Sequence, residues 1–180
     1  MDAEREKENA VKISYSFKLP TTVQPVAPSP AEKTFEYAYN EFYLKLSAQW
    51  RQIPTPQDNS FHFYSEALKA AIIVSADFYE IPEEKLAMVA ERCLGSRREA
   101  VENLAPGKVA LLQRSIKPHS GGSGLELSLG AEVPGKNIHL YLGYVTSRKI
   151  FNLTIVCEPD RPAAEQLFNE VVANLGVKLP

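Results

Sequence analysis

Three runs decide the fold: IHLYLGYV at 138–145, TSRK at 146–149 and IFNLTIVC at 150–157. In the first, Ile138, Leu140 and Leu142 alternate with His139, Tyr141 and Gly143. In the third, Phe151, Leu153 and Ile155 alternate with Asn152 and Thr154. A period of two is the pattern of a strand, because successive side chains leave opposite faces. The join is short enough for antiparallel neighbours, so the two runs form a hairpin. Toward the N-terminus, Lys108–Ile116 and Leu125–Glu132 have the same character, and the joins Lys117–Gly124 and Val133–Asn137 are also short. The sequence therefore predicts a four-strand antiparallel meander.

Helices flank the meander. Asp160 is placed to cap a helix running through Leu175, with Ala164, Leu167, Phe168, Val171, Val172 and Leu175 turned inward. Gly176 falls where a left-handed end residue is expected. Upstream, Pro82 opens another helix, since its missing N–H costs nothing in a first turn. Glu83 and Glu84 there complement the positive end of the helix dipole. Leu86, Val89, Ala90, Cys93, Leu94, Val101 and Leu104 share one stripe, and Pro106-Gly107 ends it.

Before that helix, Phe35, Tyr37 and Tyr39 alternate with polar or small residues. Asn40-Glu41 makes a turn, and Phe42, Leu44 and Leu46 complete a hairpin. Trp50 and the breaker Ile53-Pro54-Thr55-Pro56 follow. Ser60–Ser65 is a short strand, and the apolar, β-branched Ala70–Phe78 suits a central one. The expected class is α+β, an antiparallel β-sheet with packed helices.

Residues 1–33 differ from the rest. The first nine are mostly charged, and Pro20, Pro25, Pro28 and Pro30 favour extended, solvated chain. Between them Val11, Ile13, Tyr15, Phe17 and Leu19 alternate with Lys12, Ser14, Ser16 and Lys18. Two readings stay open: an arm that pairs with a sheet edge or a partner, or a mobile tail. The expected organisation is a flexible N-terminal arm over 1–33 and a single α+β domain over 34–180. Deleting the arm is expected to cost the domain little.

Composition narrows the class. The chain has 180 residues, with 44% hydrophobic and 23% charged, as a globular domain of ordinary size does. A net charge of −2 and the lack of a basic stripe argue against nucleic-acid binding. Two cysteines are too few for a disulfide framework. The opening residues hold no apolar run of signal-peptide length, and no window is apolar enough for a membrane span. The expected location is cytoplasmic.

The candidates for chemistry each have a structural explanation. His62, His119 and His139 have no second ligand at metal-binding spacing. Cys93 and Cys157 lie in apolar phase and act as small hydrophobes, whereas a reactive thiol wants an electropositive, partly exposed place. The glycine-rich loop Lys117–Gly124 stands between strands, and a phosphate loop needs a helix after it. Asp77, Glu80, Glu83 and Glu84 gather where acids at a helix start are expected anyway. No enzyme, cofactor or metal is expected.

With this layout, Phe35–Leu175, about four-fifths of the chain, resembles the bacterial branch of the PsbP-like family. That fold is shared by the PsbP subunit of photosystem II and a Ran-binding nuclear-import factor. The residues that carry the resemblance are YNEFYLKL at 39–46 followed by Trp50, FHF at 61–63, ADFYEIP at 76–82, and YVTSRKIFNLTI at 144–155 leading into Ala164–Leu175. The resemblance implies an antiparallel sheet with helices packed on it, and non-enzymatic roles as binding subunits, assembly factors and chaperones. One bacterial group chaperones type VI secretion effectors by holding their transmembrane helices. Those chaperones begin near the first hairpin, and this chain adds an arm and a longer first helix region. The family offers no catalytic residues to transfer.

The function expected is a protein-binding module, chaperone- or adaptor-like and secretion-associated. The alternative is a small-molecule or lipid-binding protein with a pocket between sheet and helix. A protein partner is expected, and a homodimer is compatible with the sequence. Strand phase also suggests a surface. If Ile72, Val74, Leu140, Leu142, Leu153 and Ile155 turn toward the helices, then Ser75, Asp77, His139, Tyr141, Asn152 and Thr154 share the other face. That face is polar, contains a tyrosine, and has room for close approach at Gly143. It is expected to be either open to water or the partner-binding face. On that reading, removing the Tyr141 and Asn152 side chains leaves the fold intact.

Overall fold

The structure is a computed structural model that describes residues 34–120 and 124–178. The amphipathic run Val11–Leu19 and the proline tract lie outside the described residues. Ten strands are present among the described residues. They are β1 (Thr34–Ala38), β2 (Phe42–Ser47), β3 (Arg51–Ile53), β4 (Ser60–Ser65), β5 (Ala70–Phe78), β6 (Ala110–Pro118), β7 (Leu125–Val133), β8 (Asn137–Val145), β9 (Lys149–Cys157) and β10 (Leu175–Val177). Two helices accompany them, α1 (Leu86–Glu102) and α2 (Arg161–Ala173). The class is α+β, as the sequence predicts.

Seven strands form one sheet in the order β3-β4-β5-β9-β8-β7-β6. The predicted meander is its right half, β6 to β9, every pair antiparallel. Strand β9 also pairs with β5, placing Leu153 beside Val74 and Asn152 beside Ser75. The hairpin turn at Thr146–Lys149 is held locally. The buried Thr146 Oγ1 accepts from the backbone N–H of Arg148 at 3.2 Å and of Lys149 at 3.1 Å.

A second sheet, β1-β2-β10, lies with α2 on one face of the large sheet. Leu44, Ile72, Val74, Phe63, Phe151, Leu153 and Ile155 are all at most 1% exposed between these layers. Each such side chain stabilises the fold by roughly 1.5–3 kcal/mol before entropy is charged. Asp160 caps α2 as expected, accepting from the Ala163 N–H at 3.2 Å. Gly176 is not the left-handed helix end that its position suggested. It lies in β10 opposite Tyr43, and a Cβ there would sit 2.0 Å from the Tyr43 ring. The glycine is required by close approach of a ring, not by a turn.

Helix α1 is entered through a single 3₁₀ turn at Glu83–Lys85, with Pro82 before it. Ala90, Leu94 and Val101 are buried, and Leu86, Val89 and Cys93 are half-buried, on the predicted stripe. Leu104 is the exception. It lies beyond the end of the helix and is 59% exposed. No helix among the described residues is long and apolar enough to cross a membrane.

The two helices do not share a face. Helix α2 covers the face of Leu140, Leu153 and Ile155, and α1 covers the opposite one, over β7 and β8. The reason lies in the outer strands. Leu127, Leu129, Tyr141 and Val145 put an apolar half on the second face, and α1 seals it. Sheets covered on both sides are apolar on both sides, and β8 is, with Ile138, Leu140 and Leu142 on one side and Tyr141 and Val145 on the other.

Candidate functional site

The second face changes character across the sheet. Over β7 and β8 it is apolar and roofed by α1. Over β9, β5 and β4 it is mixed, with Asn152, Thr154, Ser75, Asp77 and His62 beside Ile73, Ile150 and Val156. The helix stops short of this more polar half, and a groove of about 690 Å³ runs between them. One wall is the side of α1 bearing Met88, Val89, Arg92, Cys93, Ser96, Arg97 and Ala100. The other includes Asp77, Ile150 and Asn152 from the sheet.

A hydrogen-bonded chain crosses three strands beneath the groove. The Tyr141 side chain leans along its own strand over Gly143, where any Cβ would stand 2.1 Å from its hydroxyl. Gly143 is opposite Asn152, so the lean carries the phenol to Asn152 Oδ1, to which it donates at 2.5 Å. Asn152 Nδ2 in turn donates to Ser75 Oγ at 3.3 Å. Burial pushes the Tyr141 phenol well above its usual range, so it remains a donor at ordinary pH.

Arg97 reaches over this chain. Its guanidinium lies 5.0 Å from the centre of the Tyr141 ring, within range of a cation–π contact. Cys93, one turn earlier, is half-buried. Burial raises its thiol above the ordinary value, while Arg97 pulls it back by a smaller amount. A thiol held protonated this way is a poor nucleophile.

The six residues picked out by strand phase do share one face, on three adjacent strands. Ser75, Tyr141 and Asn152 are joined by hydrogen bonds, and Thr154 sits opposite Tyr141. Asp77 is at the mouth of the groove, where the Asn59 side-chain amide donates to it. His139 is at the far end of β8 with Asn137 Oδ1 3.0 Å away, and burial lowers its pKa. The expectation of an open face fails for two of them. Tyr141 is 2% exposed and Asn152 8%. Asn152 lines the groove and Tyr141 lies buried under α1, because the helix packs where open water was expected. With both side chains buried and hydrogen-bonded, their joint removal is expected to cost stability.

Sequence reasoning missed Lys85, Arg92, Ser96 and Arg97. A stripe of polar residues beside the apolar one was visible on the helix, but nothing in it says which strand it will face. The other histidines have separate partners, His62 with Ser60 Oγ at 3.1 Å and His119 with Glu126 Oε1 at 3.4 Å. Among the described residues, no three His, Cys, Asp or Glu side chains are grouped to hold a metal. The glycine-rich loop joins β6 to β7, its ends tied by the His119 N–H to the Gly124 carbonyl at 3.0 Å.

No family model matches the sequence, and no curated protein matches it. Solved structures do resemble the fold. The solution structure of cyanobacterial PsbP (CyanoP) from Synechocystis sp. PCC 6803 superposes with a TM-score of 0.56 at 14% identity, over 87% of this chain and 98% of that one. A crystal structure from Bacteroides thetaiotaomicron VPI-5482 aligns with 83% of this chain and 49% of its own, at 14% identity and a TM-score of 0.44. The first likeness is one of fold, and the architecture is PsbP-like in that sense; the second is too remote to bear on it.

Proposed function

We propose that this chain is a non-enzymatic protein-binding module, adaptor- or chaperone-like, that receives an extended segment of its partner in the groove beside α1. The observation that carries the reading is the groove's length. It follows the helix from Lys85 to Ala100, about 22 Å at 1.5 Å per residue. That length holds roughly seven residues of extended chain at 3.3 Å each. The partly exposed Tyr79 and Met88 lie along it, and Asn152 offers a polar floor. Lys85, Arg92 and Arg97 along the groove suit a segment with polar groups better than an apolar transmembrane helix, so within the PsbP-like roles we favour a soluble client. The protonated Cys93 thiol and the Asn59-bound Asp77 fit a binding role better than catalysis.

A photo-crosslinking amino acid at Ser96, which lines the groove, tests this. A discrete protein adduct is expected from Ser96, and none from Glu99, which is exposed on α1 but does not line the groove. Equal labelling from both positions would refute the groove reading.

One observation favours a second reading, a small-molecule or lipid-binding protein. The groove's volume of about 690 Å³ lies within the roughly 300–1,000 Å³ of small-molecule sites. A discrete small molecule in mass spectra of the extracted protein, with no protein adduct at Ser96, is the result that would favour it.

A further inference from the structure

We infer that the segment received by the groove is acidic, and that Arg92 and Arg97 read its carboxylates; the inference rests on the groove being the binding site. Three cations line the groove, Lys85 from the 3₁₀ turn and Arg92 and Arg97 from α1. The ion pairs formed among the described residues use other cations, namely Arg114, Lys117, His119, Lys149 and Arg161. The acids that face the groove are Asp77 and Glu80, both where β5 leaves for α1. Asp77 is already hydrogen-bonded by Asn59. The groove is therefore positive along its middle and far end, on a chain whose net charge is −2.

Arg97 is the better placed of the two arginines. Stacked on the buried Tyr141 ring, it has less side-chain freedom to lose when it binds, and a guanidinium offers five N–H donors in a fork that matches a carboxylate. Arg92 and Arg97 are five residues apart, about 7.5 Å of rise and about 140° around the helix axis. They therefore meet the groove at separate points, Arg97 against the Tyr141 ring and Arg92 at an exposed position. A segment with an acidic side chain for each matches the pair. Charge of this kind sets specificity and encounter rate more than raw affinity.

The test is selection of a random octapeptide display library on the full chain, with the winners resynthesised and titrated. Winners are expected to carry at least two Asp or Glu. They are expected to bind at least tenfold more weakly to the Arg92→Gln/Arg97→Gln double variant, and to weaken as salt is raised. Arg92→Glu alone, at an exposed position away from Tyr141, gives the same readout should the double variant lose its fold. Ser96→Trp, which fills the groove, separates the two levels of the argument. Winners that Ser96→Trp excludes but that are uncharged or basic overturn the acidic inference and leave the groove standing. Winners indifferent to Ser96→Trp, or a library that yields none, overturn the groove reading and this inference with it.

Discussion

The two faces of the large sheet are built from the same strands, yet one is closed and the other half open. Along β9, Phe151, Leu153 and Ile155 point into the layer under α2 and the small sheet, where each is fully buried. The residues between them, Asn152 and Thr154, point to the groove side. Along β5, Val74 and Ala76 alternate with Ser75 and Asp77 in the same way, while Ile73 adds an apolar side chain to the second face. The closed face is a core that tolerates little change. The groove face is anchored by α1 over β7 and β8 and left accessible over β9 and β5. A single strand thus builds the closed core with one set of side chains and lines the groove side with the next.

The largest effect should come from the closed face. Leu153 is 0% exposed and lies between Val74 and Leu142, so Leu153→Ala is expected to cost about 2–5 kcal/mol in urea unfolding. Thr154→Ala, the next residue on the same strand, should stay within about 0.5 kcal/mol. Similar costs at the two positions would end the contrast between the faces.

The middle effect tests whether the groove floor is anchored or loose. Tyr141→Phe leaves the Asn152 carbonyl oxygen without its buried donor and should cost about 1–3 kcal/mol. Gly143→Ala drives a methyl into the Tyr141 ring and should cost a similar amount, about 1–3 kcal/mol. In a double-mutant cycle, Gly143→Ala should cost much less when Tyr141 is already Ala, because the obstructing ring is gone. Additive costs would mean that Tyr141 does not lean over Gly143.

The smallest effect concerns His139, at the edge of the roofed half. Burial holds its pKa below the ordinary 6.5, so the folded state binds its proton less readily than the unfolded chain. The stability this contributes is present above pH 6.5 and is lost as pH falls through the depressed folded value. His139→Gln should flatten that part of the stability profile, measured by chemical unfolding between pH 7.5 and roughly 5. An unchanged slope would show that His139 is not desolvated where it lies.

Much of the fold was legible because strand phase and turn chemistry are local. The hairpin at 138–157, the Asp160 cap and the strand Ala70–Phe78 follow from residues within a few positions of one another. Part of the candidate site was legible for the same reason. Ser75, Asn152 and Tyr141 do share a face, because side-chain alternation obeys the same rule on every strand. The errors were at long range. Gly176 was read from its neighbours in sequence, and its reason is the Tyr43 ring opposite it. Leu104 was placed on a helical stripe that ends at Glu102. The apolar residues of β7 and β8 on the second face were the available sign that a helix would cover it, and they carry no information about which helix.

What the sequence determined by itself is the phase of each element: the period of two in the strands, the stripes of the helices and the class of fold they make. What only the tertiary structure decided is what each buried side meets. An amphipathic stripe states that a helix must cover something apolar, and both sheet faces offered apolar surface. The choice was made by where apolar area is continuous, across Leu127, Leu129, Tyr141 and Val145 for α1 and across Leu140, Leu153 and Ile155 for α2. That continuity exists only after β7 and β9 have paired on either side of β8. The groove is the remainder of that choice, the polar part of a face whose apolar part the helix took.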